Sequence, residues 1–354
     1  MPDHTNLIDT PIFTPDVSRP LKLLKVCPAH SQTPLLRLPG LGPWTLLAKD
    51  ETARMGLGSF KALGGVYGVA QMIGNAWMEA GNAELKPEEY LDQSVRSFAS
   101  GLTFVCASAG NHGMAVAAGA QVFGARARVH LAATVPHYFE QQLLEKAAEV
   151  VRSGDSYEDS MAAALADASG SDAILLADGS WPGFTEAASL IMEGYTVIAE
   201  ELRQQFESTA SWPTHVFLQA GVGGLAAATA YMIRLNWTDQ PEIIIVEPDA
   251  APCLQQSNLA GKAVTVSGPE SNMGRLDCKQ VSIVALEVLN RVADRFVTIS
   301  DAESEHAVSI ALSAGINSTP SGVAGLAALL NAERLALELD AGARPLVIFS
   351  EAAA

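Results

Sequence analysis

The feature that most constrains this chain is a repeated order: a short apolar run rich in β-branched residues, then an alanine-rich stretch of helical character. TFVCAS leads into GNHGMAVAAGAQVFG, ARVHLAA into YFEQQLLEKAAEVV, and THVFLQA into GLAAATAYMIRL. Parallel strands cannot be joined by tight turns and need helical crossovers of this kind. Two further runs, EIIIVEP at 242–248 and PLVIFSE at 345–351, show no polar alternation, as strands covered on both faces require. The expected fold class is therefore α/β with mostly parallel strands flanked by helices. No repeat of fixed period is visible, and the loose stretches near 1–20, 88–98 and 256–280 are expected as surface loops.

With 354 residues, 49% of them hydrophobic, the chain can bury a large core and has the length of two lobes. Its net charge of −17, without a run of lysine and arginine, argues against nucleic acid or an anionic membrane as partner. No apolar stretch approaches the ~20 residues of a membrane span, and the opening MPDHTNLIDTPIF lacks the basic and apolar regions of a signal peptide, so a cytoplasmic location is expected. Cys27, Cys106, Cys253 and Cys278 lie far apart, without metal-binding spacing. Buried free thiols are expected, and no metal site.

Ligands of parallel α/β sheets bind at the carboxyl ends of strands, so the residues just after each apolar run carry the functional information. QAGVGGLAAA, with Gly221, Gly223 and Gly224, follows a strand and opens a helix, where backbone N–H groups can converge on an anion such as a phosphate. It lacks the GK[ST] ending of a P-loop and departs from GxGxxG. A dinucleotide reading survives only through Ala226 or Ala227 and through Glu247 as a ribose partner. Upstream, GLGSFKALGG sets Lys61 at a helix start, where the partial positive charge of the helix end disfavours a cation. Such a lysine is either solvated or used as an amine that loses its proton easily, the second requiring a lowered pKa.

GSFKALGG, SAGNHG at 108–113 and the glycine cradle at 221–224, in that order, resemble the pyridoxal-phosphate enzymes of the tryptophan-synthase-β and threonine-dehydratase group, called fold type II. Within it, ETARMGLGSFKALGG, LLADGSWPGF at 175–184 and STPSGVAGLAAL at 318–329 look most like the diaminopropionate ammonia-lyase family. The resemblance runs from about residue 33 to 351 and implies a two-lobed fold. Residues 1–61 and 185–354 would form the large cofactor-binding lobe, and 62–184 a small mobile lobe carrying SAGNHG. Lys61 would bond the cofactor aldehyde and serve as base at the substrate Cα. Gly221, Val222, Gly223, Gly224 and Leu225 would hold the phosphate, Ser350 the pyridine nitrogen and Asn111 the phenolic oxygen. The turn Ser108, Ala109, Gly110, Asn111 and His112 would bind the substrate carboxylate, and Asp178 would serve the β-substituent. Glu51, Arg54 and Ser59, which precede the lysine, are as readily ion-paired or capping residues as substrate contacts.

The implied activity is β-elimination from a small amino acid, 2,3-diaminopropionate or a close analogue, giving a 2-oxo acid and ammonia in a homodimeric enzyme. One departure bears on stereochemistry. Members of the lyase family carry an aspartate before GNHG, implicated as the base for the D-substrate, and Ala109 stands there instead, as in serine and threonine dehydratases. An L-specific enzyme is expected, with a hydroxyamino-acid dehydratase or racemase as the alternative and a β-replacement synthase behind it. From another class, a non-catalytic nucleotide or amino-acid binding module would keep the cradle but has no use for Lys61. The chain also reads SEAAA where the family reads STEGDT, a departure expected to touch substrate range and oligomer contacts.

Overall fold

A computed structural model describes residues 13–40, 42–108, 110–209 and 211–353. Ten strands form two sheets: β1 (Leu35–Leu38), β2 (Leu46–Asp50), β3 (Thr103–Ala107), β4 (Arg126–Leu131), β5 (Glu149–Arg152), β6 (Ile174–Leu175), β7 (His215–Gln219), β8 (Glu242–Pro248), β9 (Arg295–Ile299) and β10 (Pro345–Phe349). One sheet has the order β1-β2-β10-β7-β8-β9 and is parallel except for the edge pair β1–β2. The other, β5-β4-β3-β6, is entirely parallel. The chain leaves the first sheet after β2, builds the second, and returns at β7; β10 then inserts between β2 and β7. That reversal of strand order opens a crevice at the carboxyl ends.

Side chains alternate across each strand, and both faces are filled. Leu47, Val216, Leu218, Ile243, Ile245 and Ile348 join the central core, while Leu46, Phe217, Ile244, Val246, Val347 and Phe349 pack on the opposite face, against the helix Ala324–Leu330. In the second sheet Phe104 and Cys106 enter the central core, and Val105, Ala107 and Leu175 face the helix Tyr157–Gly170. The central core thus spans both sheets, through the helices Lys61–Glu79 and Glu186–Thr209. These two helices pack closely because glycines meet: a Cβ on Gly64 would lie 2.4 Å from Tyr195 Cε1, and one on Gly194 would lie 2.6 Å from the Leu63 carbonyl oxygen. The start of the lysine helix is thereby fixed against the longest helix described.

Some expectations are corrected. AEVV, taken as the end of a helical pattern, divides: the helix stops at Glu145, Ala147 turns with φ 57°, and Glu149–Arg152 is a strand, as its paired valines favour. The stretch 88–98 carries helical turns at Pro87–Leu91 and Gln93–Ala99, and 256–280 begins inside the helix Cys253–Ala260 and buries Met273 and Leu276. Residues 18–25 are helical as well, and residues 1–12 lie outside the described set. The four cysteines are free thiols, but only Cys106 and Cys253 are buried; Cys27 and Cys278 are partly exposed. Among the described residues no helix is long and apolar enough to cross a membrane.

Candidate active site

The segments singled out by sequence meet at the carboxyl ends of five parallel strands. Lys61 follows β2, Ser108–His112 follow β3, Asp178 follows β6, the glycines follow β7, and Ser350 follows β10. The lysine turn is zipped onto the end of β10: Phe60 N–H donates to the Ser350 carbonyl at 3.1 Å, and Ala352 N–H to that of Gly58 at 2.8 Å. Ser59 caps the lysine helix, its hydroxyl accepting from Lys61 N–H at 3.1 Å. Glu51 and Arg54 are buried and ion-paired to each other at 2.7 Å, which settles them as supports of the turn rather than lining of the crevice.

Lys61 Nζ forms an ion pair with Asp178 Oδ2, the two side chains being 22% and 18% exposed. This overturns the expectation that Lys61 rests with a lowered pKa. Burial does push it down, but the Asp178 carboxylate, aided by Tyr195 and Cys278, outweighs burial and holds the ammonium above the ordinary lysine value. For Asp178, burial pushes the carboxyl up, and Lys61 nonetheless holds it well below the usual carboxylate range. The resting site is a locked ammonium–carboxylate pair. A neutral amine appears at Lys61 only when something else takes the proton or the partner.

The cradle fits an anionic group. Gly223 has φ 105°, a conformation open to glycine, and a Cβ there would meet Ala285 at 3.0 Å. A Cβ on Gly221 would lie 2.9 Å from Cys278 Sγ. Gly224 opens the helix Gly224–Asn236, whose first N–H groups have no intrahelical acceptor, and Leu225 is buried behind it. Val222 N–H faces the Cys278 sulfur, whose thiol burial pushes up to about 12, so that it sits in the cradle uncharged. The Tyr195 ring lies between the two glycine elements, 2.4 Å from a Cβ on Gly64 and 3.7 Å from one on Gly224. Its buried hydroxyl has no hydrogen-bond partner among the described residues. An amine, an anion cradle, a buried serine and an orphaned phenol are a donor set that suits pyridoxal phosphate.

On the other wall, Gly110 N–H donates to Ser108 Oγ at 3.2 Å, and the helix Asn111–Phe123 starts one residue later. Ala109 lies outside the described residues. The His112 ring is engaged elsewhere: Nε2–H donates to the Leu176 carbonyl at 2.7 Å, burial lowers its pKa, and Nδ1 is a buried acceptor without a partner among the described residues. The side chain thus ties the turn to the end of β6, and the helix-start N–H groups remain for a ligand. Asn111 Nδ2 donates to Glu351 Oε2, and Thr319 Oγ1 donates to Glu351 Oε1.

Glu351 was missed by sequence reasoning. It is a buried carboxylate next to Ser350, raised in pKa by burial although Arg275, Thr319, Lys61 and Asn111 oppose this. The only signal was its place, one residue after Ser350 at the end of an apolar strand. The dinucleotide reading fails on Glu247, which is fully buried and accepts from Leu254 N–H at 2.7 Å and Gln255 N–H at 2.8 Å, capping the next helix. Burial pushes that carboxyl up to about 7, and both its oxygens are spent on the helix start.

Known proteins agree with this geometry. The chain is 31% identical over 278 residues to diaminopropionate ammonia-lyase of Escherichia coli strain K12, covering 77% of this chain and 69% of that one. A probable D-serine dehydratase of Colwellia psychrerythraea is 24% identical over 295 residues, covering 79% and 65%. Among solved structures, Escherichia coli diaminopropionate ammonia-lyase in complex with an aminoacrylate-PLP azomethine reaction intermediate superposes with a TM-score of 0.83 at 28% identity, covering 97% of this chain and 90% of that one. The model of the family described as pyridoxal-phosphate dependent enzyme matches residues 26–351, and this chain belongs to that family.

Proposed function

We propose that this chain eliminates the β-substituent of a small amino acid, with L-2,3-diaminopropionate as preferred substrate. The observation that carries the reading is the Lys61–Asp178 pair, held beside an anion cradle and open to a crevice. Lys61, Gly221–Leu225, Asn111 and Ser350 are the residues that would hold pyridoxal phosphate, through its aldehyde, phosphate, phenolic oxygen and ring nitrogen. When bound, that group supplies an aldehyde for the amine and a ring that delocalises the charge left at Cα.

The chain's own residues supply the rest. Commitment of the Lys61 amine removes the cation that Asp178 is paired with, and a buried carboxylate without a partner is costly. A substrate β-ammonium restores the pair in the place the lysine ammonium held. This favours an amino over a hydroxyl leaving group. A β-ammonium departs as neutral ammonia carrying its own protons, whereas a β-hydroxyl must be given a proton by a neighbouring acid. Lys61, displaced by substrate, removes the Cα proton. Overall, diaminopropionate and one water give pyruvate and two ammonia.

Ala109 carries no proton acceptor where the lyase family has an aspartate, and Asp178 is paired with Lys61 itself. The L-isomer is therefore the expected substrate. The dehydratase alternative draws on the same alanine, and L-serine in the same assay separates the two. Borohydride reduction of the cofactor-loaded protein should fix the cofactor on Lys61, and pyruvate release should be fastest from L-diaminopropionate. A peptide map with unmodified Lys61, or faster release from L-serine, would sink the reading, and equal rates on D- and L-diaminopropionate would sink its stereochemical part.

A further inference from the structure

Arg275 belongs to a stretch that sequence alone assigns to a surface loop, yet it crosses the site. Its backbone is anchored: Arg275 N–H donates to Ser321 Oγ at 3.2 Å, and its carbonyl oxygen lies 3.1 Å from where a Gly221 Cβ would be. From the cradle the side chain reaches the opposite wall, where Nε lies 3.6 Å from the position of a Gly110 Cβ and 3.2 Å from Glu351 Oε2. The side chain is 34% exposed and Glu351 4%. Glu351 already accepts from Asn111 and Thr319, so it has uses apart from the arginine. Nη1 and Nη2 of Arg275 make no hydrogen bond to the described residues. Arg275 Nε therefore stands beside Gly110, at the start of the helix Asn111–Phe123, with the terminal fork uncommitted among the described residues.

We propose that Arg275 recognises the α-carboxylate of the substrate, its terminal fork and the N–H groups after Gly110 forming one anion pocket. A planar fork matches a carboxylate bidentately, and a helix start adds favourable backbone donors. The charges agree as well. Arg275 and Lys61 are the two cations acting on Glu351; commitment of Lys61 to the cofactor leaves Arg275 as the remaining cation to meet an incoming anion. The proposal rests on the reading of this site as one for cofactor-bound amino acids.

The test uses two unreactive amines, L-alanine and ethylamine, which differ in the carboxylate, titrated into cofactor-loaded protein and followed by the absorbance of the bound cofactor. Arg275→Ala should raise the Kd for alanine about 10- to 100-fold, as expected for loss of charge-assisted hydrogen bonds, and leave ethylamine unchanged. Arg275→Lys should recover part of the loss. An unchanged alanine affinity, or an equal loss for both amines, would overturn the assignment, the second outcome marking a merely structural arginine. A loss seen with L-aspartate but not with alanine would also overturn it, by showing that the fork reads a side-chain carboxylate. A wild-type protein that takes up no cofactor would bring down the parent reading, and this one with it; normal wild-type titration beside an unaffected variant removes Arg275 alone.

Discussion

Two charge clusters lie within a few residues of each other along the chain, one buried and one partly exposed, and they are built to opposite ends. In the first, Arg54 is fully buried, grips Glu51 through Nε and Nη2 at 2.7 Å each, and grips Glu201 through Nη1 and Nη2 at 2.8 Å each. Lys49 adds 2.7 Å to Glu201 and 2.8 Å to the Thr33 carbonyl, and Thr33 Oγ1 donates to Glu51 at 2.6 Å. In the second, Lys61 is ion-paired with Asp178 beside the Tyr195 phenol, and Nδ1 of His112 close by has no hydrogen-bond partner among the described residues. Both clusters shift pKa values, so a shifted pKa does not tell them apart. Access does: Arg54 and Glu51 are sealed from solvent and make a strut, whereas Lys61 and Asp178 stay partly exposed, where a ligand can reach them.

The contrast is broken or sharpened first at Lys61. Removing a general base alone costs about 10²–10⁴ in rate, and on the proposed reading Lys61 would also hold the cofactor, so Lys61→Ala should lower turnover by at least about 10⁴-fold. The cradle is a separate segment, so cofactor uptake, measured by equilibrium dialysis, should persist at reduced affinity. Retained turnover would remove the lysine from its role.

At the strut the loss should appear in stability. Arg54→Met leaves Glu51 buried without its cation and Glu201 with Lys49 alone, and breaking such a network costs about 3–5 kcal/mol. Asp178→Asn frees an ammonium that already has a path to solvent, and should cost well under half of that. Denaturant midpoints for the two variants measure the difference, and equal losses would erase the distinction drawn between the clusters.

Much of this was readable in the chain, and the reason differs by element. β3, β7, β8 and β10 announce themselves because each centres on an apolar run ending near a glycine, serine or acidic residue, and β4 does so through Ala127, Val129 and Leu131 at alternate positions. β1, β6 and β9 do not: LLRL is an edge, Ile174–Leu175 is two residues long, and RFVTI is half-exposed. Lys61, Asp178 and the cradle carry local patterns. Glu351 and Arg275 carry none, since their importance comes from a meeting of residues more than 70 positions apart. Closure of the strut was equally hidden: Glu51 and Arg54 share a motif with Lys61, but Glu201 arrives from the middle of another helix.

The smallest expected effect concerns acid. Glu201 and Asp178 both have carboxyls held below their ordinary values, Glu201 by Arg54 and Lys49 against the opposing effect of burial, Asp178 by Lys61. For a depressed carboxylate the stabilisation is fully present above the unfolded value and is lost as the pH falls through the folded one, because the unfolded chain takes up its proton first. Below the ordinary glutamate value of 4.5, each such group adds at most about 1.4 kcal/mol per pH unit to the slope of stability against pH. Glu201→Gln should flatten that acid limb equally with and without pyridoxal phosphate, since nothing in the strut faces the crevice. Asp178→Asn should flatten it in the free protein and do less in the loaded one, where the lysine that depresses the Asp178 carboxyl is no longer its partner. Urea midpoints across the acid range, for both variants in both states, decide the matter, and a cofactor-independent effect at Asp178 would mean that its pair with Lys61 is as closed as the strut.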